Sequence, residues 1–211
     1  MKKISKNMIW LLAIISYIGT LISYPRLPEQ IPVHWNSRFE VDGWSDKSSI
    51  FGFGLLPLLI LICFELFANF SAGKISNEKH IKVYKILKIV TVILMIGLNW
   101  TSIITGLGYD INIRVVLPVV LGIFFILVGN YIPALKGNYF IGIRNPWTLA
   151  DEYVWRKTHK AGGYLFIIIG ILMIVMGFLN SDYINKIVFI IMLTGILGIN
   201  VYSYYIYRKR Y

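Results

Sequence analysis

Residues 115–132, VVLPVVLGIFFILVGNYI, hold no charged side chain. About 20 such residues, wound as a helix, cross the hydrocarbon of a bilayer. Comparable apolar runs stand at Asn7–Tyr24, Ile50–Phe70, Ile86–Leu107, Tyr164–Leu179 and Ile187–Tyr205. In lipid every backbone N–H and C=O must find its partner within its own segment, so these runs are expected to be helices. The totals agree. Of 211 residues 57% are hydrophobic and 15% charged, with mean hydropathy +0.67, whereas soluble domains carry roughly 25% charged residues. The expected fold class is an all-α membrane protein with six transmembrane helices. A soluble bundle is disfavoured because soluble core helices seldom run so far without charge. Cys63 is the single cysteine, which excludes an intrachain disulfide, and within its apolar run it reads as a small hydrophobe. The start, MKKISKNMIWLLAIISYIGTLISY, is basic like a signal peptide, but its apolar run is long and no small-x-small cleavage site follows, so an uncleaved first span is expected.

The net charge of +11 is explained by where the charges fall. Lys2, Lys3, Lys6, Lys74, Lys79, Lys82, Lys85, Lys88, Lys136, Arg144, Arg156, Lys157, Lys160, Arg208, Lys209 and Arg210 would share one side. Only Arg26, Arg38, Lys47, Arg114 and Lys186 would share the other. Lysine and arginine concentrate in cytoplasmic loops, so both termini are expected inside the cell. Attraction to the anionic inner leaflet then accounts for the excess, and direct nucleic-acid contact is not needed.

Between spans one and two lies a polar outer loop, 25–49. Pro25, Pro28 and Pro32 keep its entry extended. Ile31, Val33 and Trp35 alternate with other residues at the period of a strand, and Asp42-Gly43 is a favourable turn pair. A short extended or hairpin element over the outer face is expected. It reads either as a receptor surface, with His34, Trp35, Asn36, Asp42, Gly43 and Trp44 as ligand-binding candidates, or as a lid anchored by Trp35 and Trp44.

A second polar interruption, GNYFIGIRNPWTLADEYVWRKTHKAGG, residues 137–163, falls on the expected cytoplasmic side within loop 134–163. Thr148-Leu149-Ala150-Asp151 resembles a capping box, with Asp151 and Glu152 in a first helical turn and Arg156, Lys157 and Lys160 in the last, before Gly162-Gly163. Trp147, Ala150, Val154 and Ala161 share a face, so an amphipathic helix on the membrane surface is expected. The segment reads either as a connector or as a partner-docking surface, with Asn138, Gly142, Arg144, Pro146, Trp147, Thr148, Trp155 and Lys157 as candidates.

Catalytic chemistry does not stand out. His34 would lie outside and His80 and His159 inside, so they cannot share a metal, and no phosphate loop or H-E-x-x-H appears. No cofactor and no enzymatic turnover are expected. Glu65 is an intramembrane acid, read either as a proton or cation site or as a carboxyl bonded to a neighbouring helix. Asn99, Asn130 and Asn200 read as interhelical hydrogen-bond donors.

The run from Gly137 to Gly163, with LGYDINI ahead of span four, resembles the SdpI family of bacterial membrane proteins. The stretch LPEQIPVHWNSRFEVDGW resembles a small extracytoplasmic domain of unknown function often found ahead of that segment, with Phe39 where its motif usually has glycine. The resemblance implies two units, 1–70 with two spans and 71–211 with four. It further implies protection of the producing cell from a secreted peptide toxin, and a receptor role in which a cytoplasmic repressor protein is held at the membrane. The outer loop would meet the toxin and the inner loop the repressor. The alternative is a small proton-coupled transporter with Glu65 as its carrier site; an intramembrane enzyme is disfavoured for want of a nucleophile–base pair.

Overall fold

A computed structural model describes residues 6–70, 78–179 and 181–211. Lys2, Lys3, the loop 71–77 with Lys74, and residue 180 lie outside the described residues, as do the side chains of Lys6, Lys79 and His80. The apolar runs are helices throughout: α1 Lys6–Ser23, α2 Ser49–Phe70, α3 Glu78–Gly106, α4 Ile113–Tyr131, α6 Glu152–Leu179 and α7 Asp182–Arg210, with a short α5, Pro146–Ala150. Two strands, β1 Gln30–Trp35 and β2 Val41–Asp46, form an antiparallel hairpin between α1 and α2. Among the described residues, α1, α2, α4, α6 and α7 are long and apolar enough to cross a membrane. The chain is a multi-pass membrane protein. Its helices face outward with exposed Leu, Ile and Phe side chains, as lipid requires.

The most intimate helix pair is α4 with α6. A Cβ at Gly122 would stand 2.5 Å from the Gly170 carbonyl oxygen, and one at Gly170 2.5 Å from that of Gly122. One turn pair further on, Gly129 and Gly163 repeat the arrangement at 2.7 Å in both directions. Small residues are what let backbones approach so closely where lipid offers no hydrophobic drive between helices. α3 joins the halves: it packs on α1, α2 and β1 to one side and α4 to the other. Here Asn99 Nδ2 donates to Thr20 Oγ1 at 2.9 Å and Trp100 Nε1 donates to Ser16 Oγ at 3.0 Å, tying α3 to α1.

Two local expectations are corrected. The helix of the inner loop is not a separate surface helix. Asn145, not Thr148, caps α5, with its side chain accepting from Thr148 N–H and the Thr148 side chain accepting in return. Asp151 then accepts from Val154 N–H at 2.9 Å and starts α6, which runs unbroken through Gly162-Gly163. Those glycines serve close packing rather than termination: Gly163 meets Pro133 and Gly129, and Gly162 meets Ile143. The face carrying Val154, with 0% exposure, is turned into protein rather than onto the bilayer.

The hairpin turn is likewise not at Asp42-Gly43, which lie inside β2. It spans Asn36–Glu40, because Asn36 Oδ1 accepts from both Arg38 N–H and Glu40 N–H. Phe39 sits there with φ +58, a left-handed conformation costing an L-residue about 1–2 kcal/mol. The position where the resembling motif usually has glycine is thus one that glycine would occupy without strain.

Candidate functional site

The two ends of the bundle carry the polar structure. At the hairpin end, alternation along β1 turns Ile31, Val33 and Trp35 toward the protein and leaves His34 exposed. His34 Nδ1 pairs with Asp42 Oδ1 across the strands at 2.5 Å. Gly43 makes room for that pair, since a Cβ there would lie 2.6 Å from His34 Cβ. Trp44 is 57% exposed. Below, Lys47 pairs with Glu29 at 2.8 Å, which holds its ammonium above the ordinary lysine value. The turn is bound to the distant half of the chain. Glu40 joins Arg38 at 3.0 Å and also Arg114 at the start of α4, while Arg38 reaches Asp182 at the start of α7 at 3.9 Å. Phe39 points down onto the cluster of Ile169, Met173, Met176 and Val188.

Under the hairpin is a chamber of about 330 Å³. Its roof is Val33, Trp35 and Phe39; Phe53 of α2, Asn99 of α3 and Leu121 of α4 are among its walls. It lies within the size range of small-ligand sites, about 300–1,000 Å³. Two buried polar atoms on lining residues, Trp35 Nε1 and Asn99 Oδ1, have no hydrogen-bond partner among the described residues.

The candidate ligand residues thus divide. His34, Asp42 and Trp44 are exposed, Asn36 and Gly43 shape the hairpin, and Trp35 and His34 border the chamber. Phe39 and the chamber wall on α3 and α4 were not picked out as site residues in the sequence. Two signals were present: a polar Asn99 within an apolar run, and an aromatic at a glycine position.

At the other end, the loop before α6 is pinned from several directions. Trp155 and His159, both 0% exposed, stack with ring centroids 4.0 Å apart. Trp155 Nε1 donates to Leu135 O at 2.8 Å. His159 Nδ1 donates to Trp155 O at 2.8 Å and Nε2 accepts from Ile143 N–H at 3.0 Å, which uses the ring as a neutral imidazole. Gly142, φ +119, brings the loop flat against that stack. Asn145 Nδ2 donates to Asn200 Oδ1 at 3.1 Å and Ser203 Oγ at 2.7 Å on α7, and Trp147 rests on Tyr204 at 5.1 Å. Asp151 Oδ2 accepts from Arg210 at 3.0 Å and from the Tyr211 hydroxyl at 3.1 Å. Its carboxyl is held below the usual carboxylate range, first by the Val154 N–H and, against the opposing effect of burial, by Tyr211 and Arg210.

Of the candidate docking residues, Arg144, Pro146 and Lys157 are exposed and Trp147 is half-buried. Asn138 shapes the turn, accepting from Phe140 and Ile141 N–H. Thr148 and Trp155 are turned inward and offer no surface in this conformation. Glu65 has a partner: Lys88 on α3 donates to its Oε1 at 2.8 Å. Asn99 donates across helices as expected; Asn200 instead accepts from Asn145 and donates within its own helix to Ile196 O, and Asn130 lies on an exposed helix face.

Residues 134–205, which span the pinned loop, α6 and most of α7, match the SdpI/YfhL protein family. Residues 11–61, covering most of α1, the hairpin and the first half of α2, match a Domain of unknown function (DUF1648). Along nearly its whole length the chain is similar to "Immunity protein SdpI" of Bacillus subtilis (strain 168), with 28% identity over 205 residues, 97% of each chain. No solved structure matches. The SdpI/YfhL segment and the DUF1648 segment thus divide the molecule much as its two polar ends do: the first holds the pinned loop, the second the hairpin.

Proposed function

We propose that this chain is a membrane immunity protein, a binding protein without turnover that protects the cell making it from a secreted peptide toxin. The observation that carries the reading is the end-to-end similarity to an immunity protein, which spans 97% of both chains and so includes the hairpin as well as the family segment. The architecture supports it: a polar hairpin hangs over one end of an apolar bundle, where an agent arriving from outside would be met. In this reading α3 is a sixth span and joins a two-span unit, 1–70, to a four-span unit, 71–211. Lys82, Lys85, Lys136, Arg144, Arg156, Lys157, Lys160, Arg208, Lys209 and Arg210 gather at or near the pinned end, so that end and both termini lie in the cytoplasm. The test is expression in a toxin-sensitive strain challenged with the peptide toxin of a related producer. Survival is the expected result; killing equal to the empty-vector control removes immunity to that toxin.

The inner loop carries a second role in this proposal, as the dock for a cytoplasmic repressor protein. Exposed Tyr139, Arg144 and Leu149 on the loop fastened to α7, with exposed Lys157 on α6, present aromatic, basic and apolar groups. Arg144→Ala combined with Trp147→Ala is expected to abolish membrane recruitment of the repressor, read by fractionation, while protection persists. Loss of both together would make the loop scaffold alone. The transporter reading draws no support from Glu65, whose charge is matched by Lys88.

A further inference from the structure

A cleft of about 450 Å³ opens between the start of α6 and the end of α7. Tyr153 and Lys157 line it from α6, and Tyr205, Lys209 and Arg210 line it from α7. Three cations therefore border one space, and all three are exposed. Acids do not balance them. Asp151 meets Arg210, and both of its oxygens are already engaged, Oδ1 by Val154 N–H and Oδ2 by Arg210 and the Tyr211 hydroxyl. Glu152 pairs with Arg156 instead, at 3.7 Å. Among the described residues, Lys157 and Lys209 form no ion pair. Tyr153 draws the charges together: the Lys157 ammonium lies 5.5 Å from its ring centre and the Arg210 guanidinium 5.0 Å. Like charges gathered in this way repel one another until an anion joins them.

Helix dipoles and topology explain only part of this. Cations in the last turn of a helix complement its dipole, which covers Lys209 and Arg210. Lys157 stands near the start of α6, the positive end of that helix, and gains nothing from the same effect. Basic residues at one end of a bundle fix its orientation, but orientation does not require them to share a cleft. The surface leading into the cleft also changes character in a fixed order. Leu197, Val201, Tyr205 and Lys209 follow at four-residue spacing, so they share a face of α7, and all four are exposed. Apolar side chains give way to a tyrosine and then to an ammonium, the order met on passing from hydrocarbon to headgroups.

We propose that this cleft binds the headgroup of an anionic phospholipid, with its phosphate on Lys157 and Lys209 and an acyl chain along the Leu197 and Val201 face of α7. Basic pockets between membrane helices suit such headgroups. A zwitterionic lipid brings its own cation and leaves the excess charge of the cleft uncancelled. A free phosphate cancels charge but draws nothing from the apolar face beside it. The site stands apart from the immunity reading, and its occupancy is read with no toxin or partner protein present.

The experiment places the full chain in nanodiscs of dioleoyl phosphatidylglycerol and dioleoyl phosphatidylcholine in equal parts. Lipid that stays bound on release into detergent is counted by native mass spectrometry. Wild type is expected to retain phosphatidylglycerol with a preference of about tenfold over phosphatidylcholine. Lys157→Gln with Lys209→Gln is expected to remove the preference, and Lys157→Arg with Lys209→Arg to keep it. Lys160→Gln with Arg208→Gln makes the same change of net charge at exposed positions outside the cleft lining and is expected to leave the preference in place. All three pairs are expected to melt with wild type in lipid-free detergent, so a loss confined to the glutamine pair in the cleft is a loss of binding. Equal retention of both lipids by wild type would overturn the proposal. So would an equal loss in the Lys160 and Arg208 pair, which would reduce the effect to diffuse charge. Displacement of the lipid by excess inorganic phosphate would overturn it too, leaving an anion site that does not select a lipid.

Discussion

Trp35 and Trp155 show how differently the two ends of this bundle are built. Both bring an indole N–H into the protein interior. Trp155 is packed to 0% exposure, stacked on His159, and its N–H is spent on Leu135 O. Trp35 lines a chamber, and its N–H is spent on nothing among the described residues. The contrast extends beyond the pair. Of the six buried side-chain polar atoms without a partner among the described residues, those of Trp35, Ser49, Asn99, Thr105 and Asn185 lie toward the hairpin end, and only Thr158 Oγ1 lies at the other. A fully paired network holds one conformation, whereas a buried group left unpaired costs about 1–3 kcal/mol. Among the described residues, the buried side-chain polar groups of the pinned end are the more completely paired.

Truncation gives the largest expected separation between the ends. Trp155→Ala is expected to cost about 3–5 kcal/mol in denaturant or thermal unfolding in detergent, as removal of a fully buried aromatic does. A cost well under 1 kcal/mol would mean that the loop is not pinned as described. The same conservative change at both sites is a finer probe. Trp155→Phe strands the Leu135 carbonyl and is expected to cost about 1–3 kcal/mol, whereas Trp35→Phe removes a buried donor that had no partner among the described residues, so the relieved penalty offsets lost packing and the cost is expected to be clearly smaller. Equal losses would erase the distinction drawn here.

Phe39 tests the hairpin end from another side. Phe39→Ala keeps the left-handed strain and loses the contact with Ile169 and Met173, whereas Phe39→Gly loses the contact but relieves the strain. The glycine variant is therefore expected to be the more stable of the two by about 1 kcal/mol. The reverse order would show that the turn does not hold this conformation in solution.

The smallest effect concerns pH and belongs to the pinned end. Asp151 has a lowered value in the folded protein. Its contribution is therefore present above the ordinary carboxylate value, about 3.9, and is lost as pH falls through the lowered folded value. Melting temperature is expected to fall more steeply on acidification below about pH 4 in wild type than in Asp151→Asn. Parallel curves for the two proteins would show that the Arg210 and Tyr211 contacts add nothing to folding.

The helices were legible because each apolar run answers a local question. A segment such as 115–132 has to be a helix in lipid whatever its neighbours are, and the hairpin follows from the alternation of Ile31, Val33 and Trp35 in the same local way. Two boundaries were misread for a shared reason. Asp42-Gly43 and Gly162-Gly163 look like punctuation in one dimension, yet both glycine sites answer to close approach by another element, His34 across the hairpin and α4 across the bundle. For the candidate site, the residue types were visible on the polar loops, but the division between working surface and scaffold was not. Nothing local distinguishes Trp35 from Trp44, or Trp155 from Trp147.

The sequence by itself determined that the chain is a membrane-embedded helical protein with a polar hairpin at one end and a basic aromatic loop elsewhere, because hydropathy sums along the chain. Only the tertiary structure decided which polar atoms are paired. Thr20 lies 79 residues from Asn99, and it occupies one side of that amide and leaves the other vacant. Hydrogen-bond satisfaction is a property of neighbours brought together from distant segments, so it exists only once the helices have packed.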